Sequence, residues 1–249
     1  MLDGCGRTID YLRLSVTDLC NYRCRYCMPP EGVAKRDHGD ILSLEELADI
    51  ARAAVRLGVK KIRLTGGEPL VRRGIVELCR QLRTIPGLQE LCLTTNGALL
   101  PQLAAPLREA GLDRLNISLD TLRPDRFAAM TRLGALQDVL AGIKAAEAAG
   151  FRNLKFDTVL IGGVNDDEIE DFVNLSREHP WEMRFIELMP MGPCAEWDKA
   201  RAPGGIGAAS CLQKRCWTGR QSWNPSRPRA WPGGTSCPAR WGQWGSSPQ

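Results

Sequence analysis

The sequence predicts an α/β fold: a partial (βα)6 barrel of the TIM type, followed by an irregular C-terminal tail. Three observations support this prediction. Six β-like runs alternate with helical patterns, the β-like runs alternate apolar with polar residues, and both patterns stop near residue 200 of the 249-residue chain. Regular alternation of strands and helices is typical of a parallel sheet. Six units are too few for a closed eight-unit barrel but enough for an open one.

The individual elements follow in chain order. We predict strands over residues 11–17, 60–65, 90–95, 114–119, 154–160 and 183–189. The first helix is indicated by apolar residues at helical spacing behind a capping box of Ser43 and Glu46. These apolar residues are Leu44, Leu47, Ile50, Ala54 and Leu57. Further helical patterns begin at Ile75, Leu136 and Ile169. Gly150 is predicted to end the helix that begins at Leu136.

The polar sides of the strands predict a cavity. In the first strand, Leu12 and Leu14 share one face and Arg13 and Ser15 share the other, since successive side chains of a strand point to opposite faces. Strands covered on both faces of a parallel sheet would be continuously apolar. The simplest geometry is therefore a curved sheet with its apolar face against the helices and its concave face around a roomy polar cavity. The alternative is a half-solvated sheet with no ligand.

The composition is that of an ordinary globular protein. Hydrophobic residues make up 43% of the chain and charged residues 25%, and no apolar run is long enough to span a bilayer. The N-terminus does not resemble a secretory signal, so we expect a cytoplasmic protein without a membrane partner. The net charge of +4 reflects residues 200–249, which contain seven Lys or Arg and no Asp or Glu. It does not indicate that the folded part binds nucleic acid.

The last fifty residues differ in composition from the rest. They contain eight Gly, six Pro and five of the seven Trp, and their only Ile, Leu, Val or Phe residues are Ile206 and Leu212. Such a stretch cannot bury enough apolar surface to offset its ordering entropy. We therefore expect a barrel domain over residues 1–195 and a tail of low order over residues 196–249. Our hypothesis is that the tail results from a truncation or a shifted reading frame.

Three cysteines follow the first predicted strand, with three residues between Cys20 and Cys24 and two between Cys24 and Cys27. This spacing lets one short loop surround a compact metal centre, and thiolates are the usual ligands of iron–sulfur clusters. Three ligands leave one iron of a four-iron cube open for a small chelating molecule. One alternative is a structural zinc site with His38 as its fourth ligand, and the other is three unrelated buried thiols.

The cysteine spacing, with Tyr26 before the last cysteine, resembles the signature of the radical S-adenosylmethionine (SAM) superfamily. Further motifs narrow the resemblance to the GTP 3′,8-cyclase family of molybdenum-cofactor biosynthesis, from about residue 7 to about residue 192. These motifs are LRLSVTD at 12–18, MPPEGV at 28–33, RLTGGEP at 63–69, TTNG at 94–97 and RFIELMP at 184–190. The resemblance implies a barrel of the radical SAM kind.

The resemblance also implies an activity, that of a lyase. A [4Fe-4S] cluster on Cys20, Cys24 and Cys27 would bind SAM and release methionine and a 5′-deoxyadenosyl radical. That radical would take a hydrogen atom from C3′ of GTP and become 5′-deoxyadenosine, and the nucleotide would become (8S)-3′,8-cyclo-7,8-dihydroguanosine 5′-triphosphate. The implied SAM contacts are Tyr26, Gly67, Ser118 and Met189. The implied GTP contacts are Arg13, Arg63, Thr94 and Lys155.

The alternation of the strands separately places these four GTP residues on the cavity side. Three cations there suit a triphosphate. The alternative is that they form salt bridges with Asp120, Asp157 or Glu187 across the cavity. The resemblance further implies an electron donor as a partner, cyclic pyranopterin monophosphate synthase as the downstream enzyme, and a homodimer as a candidate assembly.

The C-terminal region departs from the family pattern. Family members continue with a second three-cysteine cluster, spaced Cys-x2-Cys-x13-Cys, that binds the guanine base. Here Cys211, Cys216 and Cys237 are separated by four and twenty residues. We therefore expect one cluster only, and an impaired cyclisation. The alternative functions are another radical SAM reaction in the same barrel and a zinc-binding module without catalytic activity.

Overall fold

The computed structural model describes residues 2–34 and 36–189. Its strands are β1 Tyr11–Ser15, β2 Lys61–Thr65, β3 Glu90–Thr95, β4 Arg114–Ser118, β5 Lys155–Leu160 and β6 Glu182–Glu187. Its helices are α1 Leu44–Arg56, α2 Ile75–Arg83, α3 Leu100–Glu109, α4 Pro124–Thr131, α5 Leu136–Ala148 and α6 Ile169–Glu178. Short 3-10 turns lie at His38–Asp40, Pro69–Val71 and Asp166–Glu168. The tail predicted for residues 196–249 lies outside the described residues.

The strands form one parallel sheet whose order follows the chain from β1 to β6. At least one helix lies between each pair of consecutive strands from β2 onward, and α1 links β1 to β2. Parallel neighbours require such crossover connections. Because β1 and β6 are the two edges of the described sheet, the predicted open (βα)6 architecture is confirmed.

The hydrophobic core lies between the sheet and the helices. The side chains of Leu64, Leu93, Ile117 and Phe156 on successive strands are completely buried. Helix α1 contributes Leu47 to the same core, and other helices contribute further apolar residues. The strands thus present their apolar side chains to the helices, as the alternation predicts, and the polar side chains face the concave side.

Most predicted boundaries agree with the structure, including the start of α1 and the end of α5. The capping box of α1 is present: Ser43 Oγ accepts from the Glu46 amide at 3.1 Å, and the Ser43 amide donates to Glu46 Oε2 at 2.7 Å. Gly150 follows α5 with a φ of 85°, a value that glycine adopts without strain. The first strand is shorter than predicted, since β1 ends at Ser15.

Helices α3 and α4 were not predicted from the sequence. Helix α3 has Pro101 in its first turn and Pro106 inside it, and an interior proline usually indicates the end of a helix. Helix α4 is only 8 residues long and begins at Pro124, so its apolar periodicity is too brief to recognise. Proline in the first turn costs no hydrogen bond, because the first amides of a helix have no partner within it.

Candidate active site

The loop that carries the three cysteines follows β1 and lies against the end of α4. The amide of Arg23 donates to the Thr131 carbonyl at 3.0 Å, and the amide of Arg25 donates to the Met130 carbonyl at 2.9 Å. Within the loop, the Cys27 amide donates to the Cys24 carbonyl at 2.9 Å and closes a tight turn. These bonds fix the backbone that positions the thiols.

Two arginine side chains bond to the backbone of this loop: Arg132, which follows α4, and Arg23, which belongs to the loop itself. Arg132 has a left-handed φ of 63°, and its guanidinium donates to the carbonyls of Arg23 at 2.8 Å and Met28 at 3.0 Å. Arg23 donates to the carbonyl of Cys20 at 2.6 Å. Arg132 was not predicted as a site residue, because nothing in its local sequence pattern indicates that it bonds to a loop about a hundred residues earlier.

The three thiols suit a metal cluster chemically. Burial is the main cause that raises the pKa of the Cys20 and Cys24 thiols, and the thiol groups of the loop raise one another's pKa further. Such thiols become thiolates when a cation offsets their charge, which is what an iron cluster supplies.

In the described part of the chain, no group of three or more His, Cys, Asp or Glu side chains is placed to hold a single metal ion. A structural zinc ion needs its ligands around one atom, whereas an iron–sulfur cube offers each thiolate its own iron. Three thiolates from one short loop are the donor set that iron–sulfur clusters use. The side chain of His38, named for the zinc alternative, lies outside the described residues.

The Gly66-Gly67-Glu68 turn packs directly under the cysteine loop. The Gly67 amide donates to the Thr17 carbonyl at 2.8 Å, and the Glu68 amide donates to the Leu19 carbonyl at 2.8 Å. A Cβ atom on Gly67 would lie 2.4 Å from the Leu19 carbonyl oxygen. The structure therefore shows one reason for glycine here, the close approach of the loop backbone. Whether Gly67 also contacts SAM stays a prediction.

Glu68 joins this turn to the end of β3. Its carboxylate is buried and accepts hydrogen bonds from the Leu70 amide at 3.0 Å, the Thr95 hydroxyl at 2.7 Å and the Asn96 amide at 2.6 Å. Burial raises the pKa of this carboxyl group, although these three donors oppose the rise. Glu68 thus acts as a structural support for the loop region, a role that the sequence analysis did not assign.

A second buried carboxylate anchors the loop to the sheet. The Tyr26 hydroxyl donates to Asp120 Oδ2 at 2.6 Å, and the Val159 amide donates to Asp120 Oδ1 at 2.8 Å. Burial raises the pKa of Asp120 to about 6, while its two hydrogen bonds lower it. Tyr26, predicted to contact SAM through its backbone, is therefore held in place through its side chain.

The other two predicted SAM residues lie near the carboxyl ends of strands. Ser118 is the last residue of β4, is partly buried, and pairs in register with Asp157 of β5. Met189 follows β6 by two residues and is 61% exposed. Both positions are at the end of the sheet to which the cysteine loop belongs, as expected for a site at the carboxyl ends of parallel strands.

A polar cavity of about 620 Å³ opens on the concave face. Its described lining residues are Tyr11, Arg13, Lys61, Arg63, Asn116, Lys155, Asp157, Arg184, Phe185 and Ile186. Three of the four predicted GTP residues are thus gathered there. The fourth, Thr94, does not line the cavity, but its hydroxyl oxygen accepts a hydrogen bond from Arg63 at 3.2 Å.

Cations outnumber anions among the residues that line this cavity. Five of its described lining residues are cations and one, Asp157, is an anion. The salt bridges that do form use different acids from those considered in the sequence analysis: Lys61 pairs with Glu90 at 2.6 Å, and Lys155 pairs with Glu182 at 2.5 Å. Among the described ion pairs, none includes Arg13 or Arg63.

Arg63 is held by neutral groups. It is 4% exposed, and its Nε donates to the Tyr11 hydroxyl at 2.7 Å. A buried guanidinium without a carboxylate partner favours an anionic ligand. Tyr11 and Lys61 were not predicted as cavity residues, although each lies two positions before a predicted cavity residue on the same strand face.

Comparison with known proteins places this fold and site in a class. The family model of the radical SAM superfamily matches residues 14–176. The chain belongs to this superfamily, whose members hold a [4Fe-4S] cluster and use SAM.

More similar relatives carry a particular name. The "GTP 3′,8-cyclase" of Geobacter sulfurreducens is 58% identical over 204 residues, which cover 82% of this chain and 63% of that protein. The protein of the same name from Peptoclostridium acidaminophilum is 60% identical over 190 residues, which cover 76% of this chain and 58% of that protein. The chain therefore spans about three fifths of the length of these curated relatives.

Solved structures share the fold at low sequence identity. Methylornithine synthase superposes with a TM-score of 0.63 at 18% identity, covering 81% of this chain and 58% of that one. Coproporphyrinogen III oxidase from Escherichia coli superposes with a TM-score of 0.55 at 14% identity, covering 83% of this chain and 51% of that one. Within the described part of the chain, no helix has the length and apolar character that crossing a membrane requires.

Proposed function

We propose that the chain is a GTP 3′,8-cyclase, the enzyme of molybdenum-cofactor biosynthesis that joins C3′ of the sugar of GTP to C8 of its guanine. The observation that carries the proposal is the cation-rich cavity of about 620 Å³ on the concave face of a radical SAM sheet, with Arg13 and Arg63 outside the described salt bridges. The relatives of that name, at 58% and 60% identity, support the same substrate.

In this proposal, Cys20, Cys24 and Cys27 hold one [4Fe-4S] cluster. Together with SAM, the bound cluster supplies a 5′-deoxyadenosyl radical by one-electron cleavage of a carbon–sulfur bond. The contacts from Arg132, Gly67 and the Tyr26–Asp120 pair keep the thiols in place. Tyr26, Gly67, Ser118 and Met189 contact SAM.

The residues of the cavity bind the nucleotide. Arg13, Arg63 and Lys155 neutralise the triphosphate, because guanidinium and ammonium groups form charge-assisted hydrogen bonds with phosphate oxygens. Thr94 accepts from Arg63 and fixes the direction of that guanidinium. Holding the sugar in one orientation beside the radical source is the main catalytic task that these residues perform.

The proposed partners follow from this chemistry. The reaction requires an external one-electron donor, and its product is the substrate of cyclic pyranopterin monophosphate synthase. The proposed assembly state is a homodimer, with no nucleic-acid or membrane partner. We propose one cluster for the chain, since the family's second cysteine spacing does not occur in residues 200–249.

Deuterium transfer tests this function directly. The full chain is reconstituted anaerobically with iron and sulfide, then given SAM, dithionite and GTP deuterated at C3′. We expect deuterium in 5′-deoxyadenosine, measured by mass spectrometry, even where cyclised nucleotide is scarce. Formation of 5′-deoxyadenosine that contains no deuterium would contradict GTP as the substrate while leaving the radical SAM chemistry intact.

A further inference from the structure

A buried amide oxygen in the cavity has no hydrogen-bond donor. Asn116 of β4 lines the cavity and is 3% exposed. Its Nδ2 donates to Asp157 Oδ2 at 2.8 Å, but its Oδ1 has no partner among the described residues. Buried polar atoms are nearly always paired, so an unpaired one in a cavity wall indicates a bound molecule that completes it.

The orientation of this amide follows from its neighbour. The carboxylate of Asp157 can only accept hydrogen bonds, whereas the Asn116 amide has a donating nitrogen and an accepting oxygen. Turning the amide over would place its oxygen against the carboxylate and lose the 2.8 Å bond. Asp157 therefore keeps Oδ1 directed away from itself and available as an acceptor.

The strand register places this acceptor next to a proposed phosphate ligand and two residues along β4 from a proposed SAM contact. Asn116 pairs in register with Lys155, and Asp157 pairs with Ser118. Residues two apart on a strand share a face and are separated by about 7 Å along it. Asn116 thus lies beside Lys155, a proposed phosphate ligand, and Asp157 lies beside Ser118, a proposed SAM contact.

The chemistry of the two side chains selects their ligand. The cations around them suit phosphate oxygens, which accept hydrogen bonds, but Asn116 Oδ1 requires a donor. In a nucleoside triphosphate, the groups next to the phosphates that donate hydrogen bonds are the hydroxyls of the sugar. We propose that Asn116 Oδ1 accepts a hydrogen bond from a sugar hydroxyl of the bound nucleotide and that Asp157 is the residue positioning this amide. This inference rests on the proposed function.

Nucleotide affinity tests the assignment. We would measure binding of GTP, 2′-deoxyGTP and 3′-deoxyGTP to the full chain by anaerobic equilibrium dialysis. The wild-type protein should bind one of the two deoxy analogues about threefold to tenfold more weakly than GTP. Asn116→Ala should bind GTP more weakly by a similar factor and should no longer distinguish that analogue from GTP. The control Lys155→Met should weaken binding of all three and keep their ratios.

A second variant, Asp157→Leu, keeps the assignment falsifiable. Asp157→Leu, which removes the group that orients the amide, should lose the same discrimination and substitutes for Asn116→Ala if that variant does not fold. A wild-type protein that binds GTP and binds both deoxy analogues as tightly as GTP would overturn the inference and leave the proposed function standing. A variant at Asn116 that still discriminates would do the same. Failure of the wild-type protein to bind GTP would overturn both.

Discussion

The three thiols of the cysteine loop differ in their surroundings. Cys20 and Cys24 are partly buried, whereas Cys27 is exposed. Two other cysteines, Cys79 and Cys92, are fully buried. In the sequence, only the spacing distinguishes the loop cysteines from these buried ones, because three thiols within eight residues are unusual for a core and usual for a metal centre.

The first residue-scale prediction compares Cys24→Ala with Cys79→Ala. We expect Cys24→Ala to lose nearly all of the iron that the reconstituted wild-type protein holds, about four atoms per chain for one cube. Cys79→Ala should keep its iron and lose only about 1 kcal/mol of unfolding free energy from the small cavity. Iron and sulfide assays and absorbance near 400 nm measure the outcome. Equal iron in both variants would contradict the ligand assignment.

The second residue-scale prediction concerns Asp120. Burial raises the pKa of its carboxyl group to about 6. A raised carboxyl pKa means that the folded state binds the proton more tightly than the unfolded state. The stabilisation is therefore complete below about pH 4 and is lost as the pH rises through about 6. The loss is on the order of 3 kcal/mol between pH 4 and pH 7.

Urea denaturation of the cluster-free protein measures this effect. The unfolding free energy of Asp120→Asn should rise relative to wild type between pH 4 and pH 7, because the variant has no carboxyl group to ionise there. A difference between Asp120→Asn and wild type that is constant over this range would contradict the raised pKa.

Among the elements, the sheet was more predictable than the helices. Alternating apolar and polar residues identified all six strands, and the same alternation placed Arg13, Arg63 and Lys155 on the cavity side. Helices α3 and α4 were missed because prolines interrupt or shorten their patterns. Burial of their apolar faces against the sheet stabilises these helices, and a local sequence pattern does not contain that information.

The turn between β2 and the following 3-10 helix gives an element-scale prediction. In Gly67→Ala, the new Cβ would lie 2.4 Å from the Leu19 carbonyl oxygen and would push the cysteine loop away from the turn. We expect a loss of about 1–3 kcal/mol in unfolding free energy and a lower iron content after reconstitution. Denaturation midpoints and iron assays would show both changes.

Gly4→Ala provides the matched control for this turn, since a Cβ there has no atom within 4 Å. It should leave both the stability and the iron content close to those of the wild-type protein. If Gly67→Ala also left both unchanged, the close packing of the turn against the loop would not be what positions the thiols.

Over the whole molecule, the site depends on contacts between distant parts of the chain. The cysteine loop bonds to α4 through Thr131, to β4 and β5 through the Tyr26–Asp120 pair, and to Arg132. The sequence predicted the fold and the cavity because both follow from periodicity. It could not predict these supports, since each consists of one or two hydrogen bonds between residues that only the folded chain brings together.

The central claim is that three thiolates hold a cluster whose fourth iron is open to SAM. Electron paramagnetic resonance tests this claim most directly, on reconstituted full-length protein reduced by dithionite and recorded with and without SAM. We predict the signal of a reduced [4Fe-4S] cluster that changes when SAM is added and that is absent in Cys24→Ala. A signal that SAM does not alter, or zinc in place of iron at these thiols, would contradict the account.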